Sequence, residues 1–247
     1  MVKKALKSAV KKTRSLFSRN WKTIGGIFLV VLMIASVFGG LVLSGNEQAQ
    51  GQGGQKSSGT HVGVVNGIDV YKIEDTDYFA NLGGVEVHFR ANPVVAAEFK
   101  IDARQKLILS SVMNGPGTFD LVTGKRFSKA YILLEPETPT TAKATVAAAE
   151  IATALGANRW VPEVAFTRES VQQPGSKVIT VSDAQNFSED AIVFHFAVSD
   201  GIPSNASLFT YQTPESKGVS LFLIGRDFPD LDIVSVAVKM FLLGWTG

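Results

Sequence analysis

Cysteine is absent from the chain and histidine is scarce. With no Cys among 247 residues, disulfides, thiolate metal sites and cysteine nucleophiles are excluded together. The three histidines, His61, His88 and His195, include no pair at metal-ligand spacing such as H-x-x-x-H, so nothing points to zinc. The G-x-S-x-G elbow of serine hydrolases and the G-x-G-x-x-G turn of dinucleotide-binding units are missing too. Residues 117–125 superficially resemble a phosphate loop. The spacing is wrong, however, and Arg126 stands where a Ser or Thr would hold magnesium. No catalytic, cofactor-binding or metal-binding residue is assigned on these grounds, and no cofactor is expected.

Acidic residues are missing from the first 46 positions. That stretch holds Lys3, Lys4, Lys7, Lys11, Lys12, Arg14, Arg19 and Lys22 without one Asp or Glu. The other 16 Lys and Arg share the rest of the chain with all 22 Asp and Glu, so the body beyond residue 46 is net acidic. A nucleic-acid partner for the body is therefore disfavoured, because phosphate binding needs clustered cations there.

What the chain does have is one long uncharged run, IGGIFLVVLMIASVFGGLVLS at 24–44. As a helix rising ~1.5 Å per residue it spans about 31 Å, the thickness of a bilayer's hydrocarbon core. The alternative of a buried soluble helix fits an apolar run of this length poorly. The basic residues before it place the N-terminus in the cytoplasm and the body outside, by the positive-inside rule. A cleaved signal peptide would have a shorter apolar core and an A-x-A site after it, so a retained signal-anchor is expected. In the tail, 1–23, Val2, Leu6, Ala9, Val10, Leu16, Phe17 and Trp21 recur at helical spacing opposite most of the cations. Two readings stand: an interfacial helix on anionic inner-leaflet lipids, or a disordered flank that only sets topology. Residues 45–60, GNEQAQGQGGQKSSGT, cannot bury enough apolar surface to fold and read as a flexible tether.

The body, 61–247, reads as a mixed α/β (α+β) domain, with a possible division into a β-rich part, 61–130, and an α/β part, 131–247. Asn66-Gly67 between 61–65 and 68–73 predicts a tight hairpin. Val85, Val87 and Phe89 alternate with Glu86, His88 and Arg90 as in a half-buried strand. Residues 106–113 read as a further strand. A strand at 131–135, an alanine-rich helix stopping at Gly156 and a strand at 164–167 predict a central βαβ unit. Strands are then expected at 178–181, 191–198, 207–212 and 219–224, and a helix over 230–243 with Asp230 and Asp232 at its positive end and Gly244 beyond it.

Few polar groups stand out as sites. His195 lies in the apolar run VFHFA and reads as a core or sheet-face residue, with a catalytic role as the alternative. Glu74-Asp75-Asp77 lacks the glycine and distal glutamate of a calcium loop, and Asp227-Asp230-Asp232 reads as helix-terminus electrostatics. Asn186-Phe187-Ser188 and Asn205-Ala206-Ser207 are glycosylation sequons in the part expected outside.

Basic start, single anchor, polar tether and mixed ectodomain, together with the blocks VITVSDA at 178–184 and VKMFLLG at 238–244, resemble single-pass envelope proteins of small-genome archaea. The resemblance implies an extracytoplasmic α/β domain ending in a helix, and no activity or cofactor. The leading expectation is a non-catalytic, membrane-tethered module that contacts an envelope protein or another copy of itself. A surface hydrolase acting on envelope polymer or peptide, and a pilin-like filament subunit, are the alternatives.

Overall fold

The computed structural model describes residues 59–74, 77–138, 141–202, 204–213 and 215–245. The expected tail, apolar run and nearly all of the tether lie outside them. Among the described residues no helix is long and apolar enough to cross a membrane.

An antiparallel meander comes first, β1 (Thr60–Val65), β2 (Ile68–Glu74), β3 (Asp77–Leu82) and β4 (Val85–Phe89), paired in that order. Asn66 and Gly67 both take positive φ, 50° and 79°, as the hairpin turn requires. Alternation then sends Val65, Val70, Ala80 and Phe89 to one face, where Val236, Ala237, Met240 and Trp245 cover them.

After the one-turn helix α1 (Pro93–Ala96) comes a correction. Residues 106–113, expected as a strand, belong to helix α2 (Ala103–Met113). Asp102 accepts from the Gln105 amide at 2.8 Å, and Gln105 returns a bond to the Asp102 amide at 3.0 Å, a full capping box. A two-rung hairpin, β5 (Phe119–Asp120) with β6 (Lys125–Arg126), leads into the large sheet.

That sheet holds β7 (Lys129–Leu134), β8 (Glu163–Phe166), β9 (Lys177–Val178), β10 (Ala191–Val198), β11 (Ala206–Tyr211) and β12 (Val219–Gly225), in the order β11-β12-β10-β7-β8-β9. All neighbours are parallel except β11 with β12. The expected βαβ unit is β7, helix α3 (Thr141–Ala157) and β8. Gly156 does not end α3. Arg159 does, at φ 66°, with Trp160 N–H reaching back to Leu155 O at 3.0 Å. This is the Schellman geometry with Arg in glycine's usual place. Residues 178–181, expected as a strand, yield only the end of β9 before Thr180 and Asp183 form a second capping box and open the short helix α4 (Val181–Gln185).

Helix α5 (Phe228–Leu242) starts two residues earlier than expected, with Asp227 as its cap. It ends at Gly244, φ 71°, as expected. Ten of its residues are buried, and each full-sized apolar side chain among them contributes about 1.5–3 kcal/mol. One flank covers the meander; the other joins α2 and α3 over one face of the large sheet, against Ile132, Leu134, Phe194, Leu221 and Leu223. On the opposite face, Tyr131, Leu133, Ala165, Val193, Ala184 of α4 and Phe187 form a smaller cluster. Two tryptophans fasten the layers: Trp160 Nε1 donates to Val112 O at 2.7 Å and Trp245 Nε1 to Val65 O at 3.0 Å.

From β7 the chain steps outward to β8 and β9, then crosses to β10 and β12 on β7's other side. The carboxyl ends of β7 and β10 therefore flank a topological switch point, where open α/β sheets take their ligands.

Candidate functional site

His61 and His88 close the two ends of an aromatic row on the outer face of the meander. Strand register pairs His61 with Tyr71, Tyr71 with Phe79 and Phe79 with His88, and their ring centroids follow at 5.6, 5.1 and 6.2 Å. Tyr71 and Phe79 lie within 19° of parallel, so their flat faces are spent on each other, as in cross-strand packing. His61 Nε2 meets Asp69 at 3.1 Å; His88 meets Asp77 at 3.3 Å and Glu86 at 3.0 Å. Of the Glu74-Asp75-Asp77 group, Asp75 and the Glu74 side chain lie outside the described residues, and Asp77 serves His88. Among the described residues no His, Asp and Glu side chains form a group that could hold a metal ion.

His195 sits in the middle of β10, facing away from the three long helices. Phe222 meets it edge-on at 5.0 Å; its side chain is 7 % exposed and its Nδ1 is buried without a partner. Burial pushes the imidazole down to about 4, so the ring is neutral near pH 7. The sheet-face reading of the sequence describes this residue.

Two ionic clusters emerge that sequence spacing does not reveal. Glu189 accepts from Lys177 at 2.6 Å, Lys129 at 2.9 Å and the Tyr131 hydroxyl at 2.9 Å. The Lys177 bond foremost, then that of Lys129, hold its carboxyl down at about 2. Burial pulls Lys177 down, but its bonds to Glu189 and Tyr131 more than reverse this. The cluster lies at the amino ends of the parallel strands, away from the switch point. The second is interior: Lys239 of α5 bonds Glu150 of α3 at 2.5 Å and His88 O at 2.6 Å. Asp232, one stripe along α5, has its carboxyl raised to about 6 by burial first and by the Glu150 charge second. Asp227 caps α5 by accepting from the Asp230 amide at 3.0 Å, so the helix-terminus reading of the Asp227-Asp230-Asp232 group describes Asp227, while burial raises the Asp230 and Asp232 carboxyls.

The loop at 117–125 is likewise structural. Buried Asp120 accepts from Val122 N at 3.0 Å, Thr123 N at 2.6 Å and Ser111 Oγ at 2.6 Å, which fills the turn with a side chain. Asn186, at the end of α4, accepts from Thr213 Oγ1 at 3.0 Å, whereas Asn205 is exposed just before β11. A groove of about 620 Å³ opens between α1, residues 97–102 and α5, lined by Phe99, Ile101, Ala237 and Phe241 with Lys100 and Glu98.

At the carboxyl edge of the large sheet, the loop after β7 and the loop after β8 are clasped by one carboxylate. Glu137 Oε1 accepts from Ser170 Oγ at 3.1 Å, from the Gln172 amide at 2.9 Å and from the Val171 amide. The Gln172 amide foremost, with Ser170, Val171 and nearby Arg168, holds the Glu137 carboxyl below the usual carboxylate range. No sequence motif marks these residues.

The fold is thus a mixed α/β domain whose chemically versatile side chains are mostly engaged with one another. Comparison of the chain with protein-family models, with curated proteins and with solved structures finds no significant match in any of the three.

Proposed function

We propose that the chain is a non-catalytic, membrane-tethered module that places this α/β domain outside the cytoplasmic membrane to contact other envelope components or further copies of itself. One observation carries the reading: an uncharged run at 24–44 has eight cations and no anion on one side and a net acidic body on the other. Among the described residues Glu189, Glu150 and Asp120 are each held by hydrogen bonds to neighbouring groups. The tether, at up to ~3.3–3.6 Å per residue, lets the domain stand as far as about 50 Å from the bilayer.

Alkaline carbonate washing of membranes carrying the full chain, with protease added outside intact cells, tests the reading. The chain is expected to stay in the membrane fraction and to lose everything beyond about residue 60 to the protease. Release by carbonate, or a domain spared by external protease, overturns it. Pull-down of the detergent-solubilised chain is expected to return an envelope protein or the chain itself, and a hydrolytic activity with no partner would favour a surface enzyme instead.

A further inference from the structure

We propose that the loop following β8 is an anion-binding site, that Glu137 is its built-in occupant, and that a carboxylate or phosphate oxygen of an external ligand takes the place of Glu137 there. Consecutive backbone N–H groups, Val171 and Gln172, aim at one oxygen together with the Ser170 hydroxyl, an arrangement that concentrates positive potential on a single anionic atom. One bond of the site is internal to the loop after β8. Ser170 is only 5 % exposed, and its Oγ also accepts from Gln173 N at 3.0 Å, which fixes it within its own turn. Arg168 supplies a cation at the rim, held by its bond to Pro136 O at 3.1 Å.

The occupant is of a different kind. Glu137 reaches in from another loop, is exposed, and sits at φ 57°, a conformation that costs a non-glycine residue. The loops after β7 and β8 lie at the carboxyl edge of the parallel strands, one strand over from the switch point between β7 and β10. The donors address one oxygen only, so the site selects for charge and compactness. The inference stands apart from the membrane reading, since it holds whichever side of a bilayer the domain faces.

The test titrates the full-length chain in neutral detergent with inorganic phosphate and, separately, with acetate, following binding by calorimetry. Glu137→Ala is expected to bind one of the two anions at least ten-fold more tightly than the unmodified chain, whose own carboxylate competes. Adding Ser170→Ala to it is expected to abolish most of that gain. The anion that gains more assigns the ligand as a phosphate or a carboxylate. A folded Glu137→Ala chain that binds neither anion better than the unmodified one overturns the proposal, as does a gain that survives Ser170→Ala. Should Glu137→Ala not fold, Glu137→Gly, which suits the positive φ and likewise empties the donors, must show the gain, and its failure to do so is equally fatal.

Discussion

Lys239 of α5 and Glu150 of α3 meet at 2.5 Å with side chains only 5 % and 7 % exposed, so two helices of the core are joined by an ion pair shielded from water. Each partner also holds the end of the meander: Lys239 through His88 O at 2.6 Å, Glu150 through the Arg90 amide at 2.9 Å. The Phe89 ring lies 4.8 Å beneath the Lys239 ammonium.

Removing one charge of this pair strands the other. Lys239→Met is expected to destabilise the domain by about 3–5 kcal/mol, the cost of an uncompensated buried carboxylate. Lys239→Met with Glu150→Met together is expected to recover part of that loss, because the stranded charge is gone although His88 O and the Arg90 amide lose their partners. Urea denaturation of both variants measures it, and a double variant as weak as the single would show that packing, not charge, is at stake.

His195 gives an acid-sensitive contribution. Its folded value of about 4 lies below the 6.5 of a free imidazole, so the fold favours the neutral ring. The stabilisation is fully present above pH 6.5 and is lost as the pH falls from there toward 4, amounting to about 3 kcal/mol at full extent. His195→Leu is expected to remove this limb, seen as a flatter melting temperature between pH 6.5 and 4.

Asp232 works in the opposite sense. Its folded value of about 6 exceeds the 3.8 of a free aspartate, so its contribution is present below pH 3.8 and is lost as the pH rises through 6. Asp232→Asn is expected to stabilise the domain at pH 7 and to bring no gain at pH 3.5. In the unmodified chain the two groups offset one another between pH 4 and 6, and comparing the melting curves of both variants with it separates them.

Gly225 is required for close approach, not for its dihedral. A Cβ there would lie 2.3 Å from Leu231 N, 2.5 Å from Asp227 O and 2.7 Å from Leu231 Cα, all backbone of the turn into α5. Gly225→Ala is therefore expected to cost about 3 kcal/mol or more, since backbone cannot swing aside as a flexible side chain does. Gly67→Ala, where nothing lies within 4 Å, serves as the comparison, paying only for its positive φ.

The two misread segments share a cause. Residues 106–113 and 178–181 are short apolar runs, which hydrophobic spacing alone does not separate into helix and strand. In each case the deciding residues stand at a helix start: Asp102 with Gln105, and Thr180 with Asp183, both capping boxes. The candidate site was not legible at all, because Glu137 and Ser170 are 33 residues apart and meet only through the parallel pairing of β7 with β8.

By itself the sequence determined what depends on local order and composition: the hairpin at Asn66-Gly67, the βαβ unit, the closing helix with Gly244 behind it, and the exclusion of disulfide and thiolate chemistry. These follow from backbone sterics, hydrophobic period and residue counts, which need no knowledge of distant neighbours. The tertiary structure alone decided which charges meet. Lys239 finds Glu150 across 89 residues, and Glu137 finds the Ser170 loop, because strand order and helix packing bring them within bonding distance. Hydrogen bonds act over about 3 Å and carry no signature along the chain.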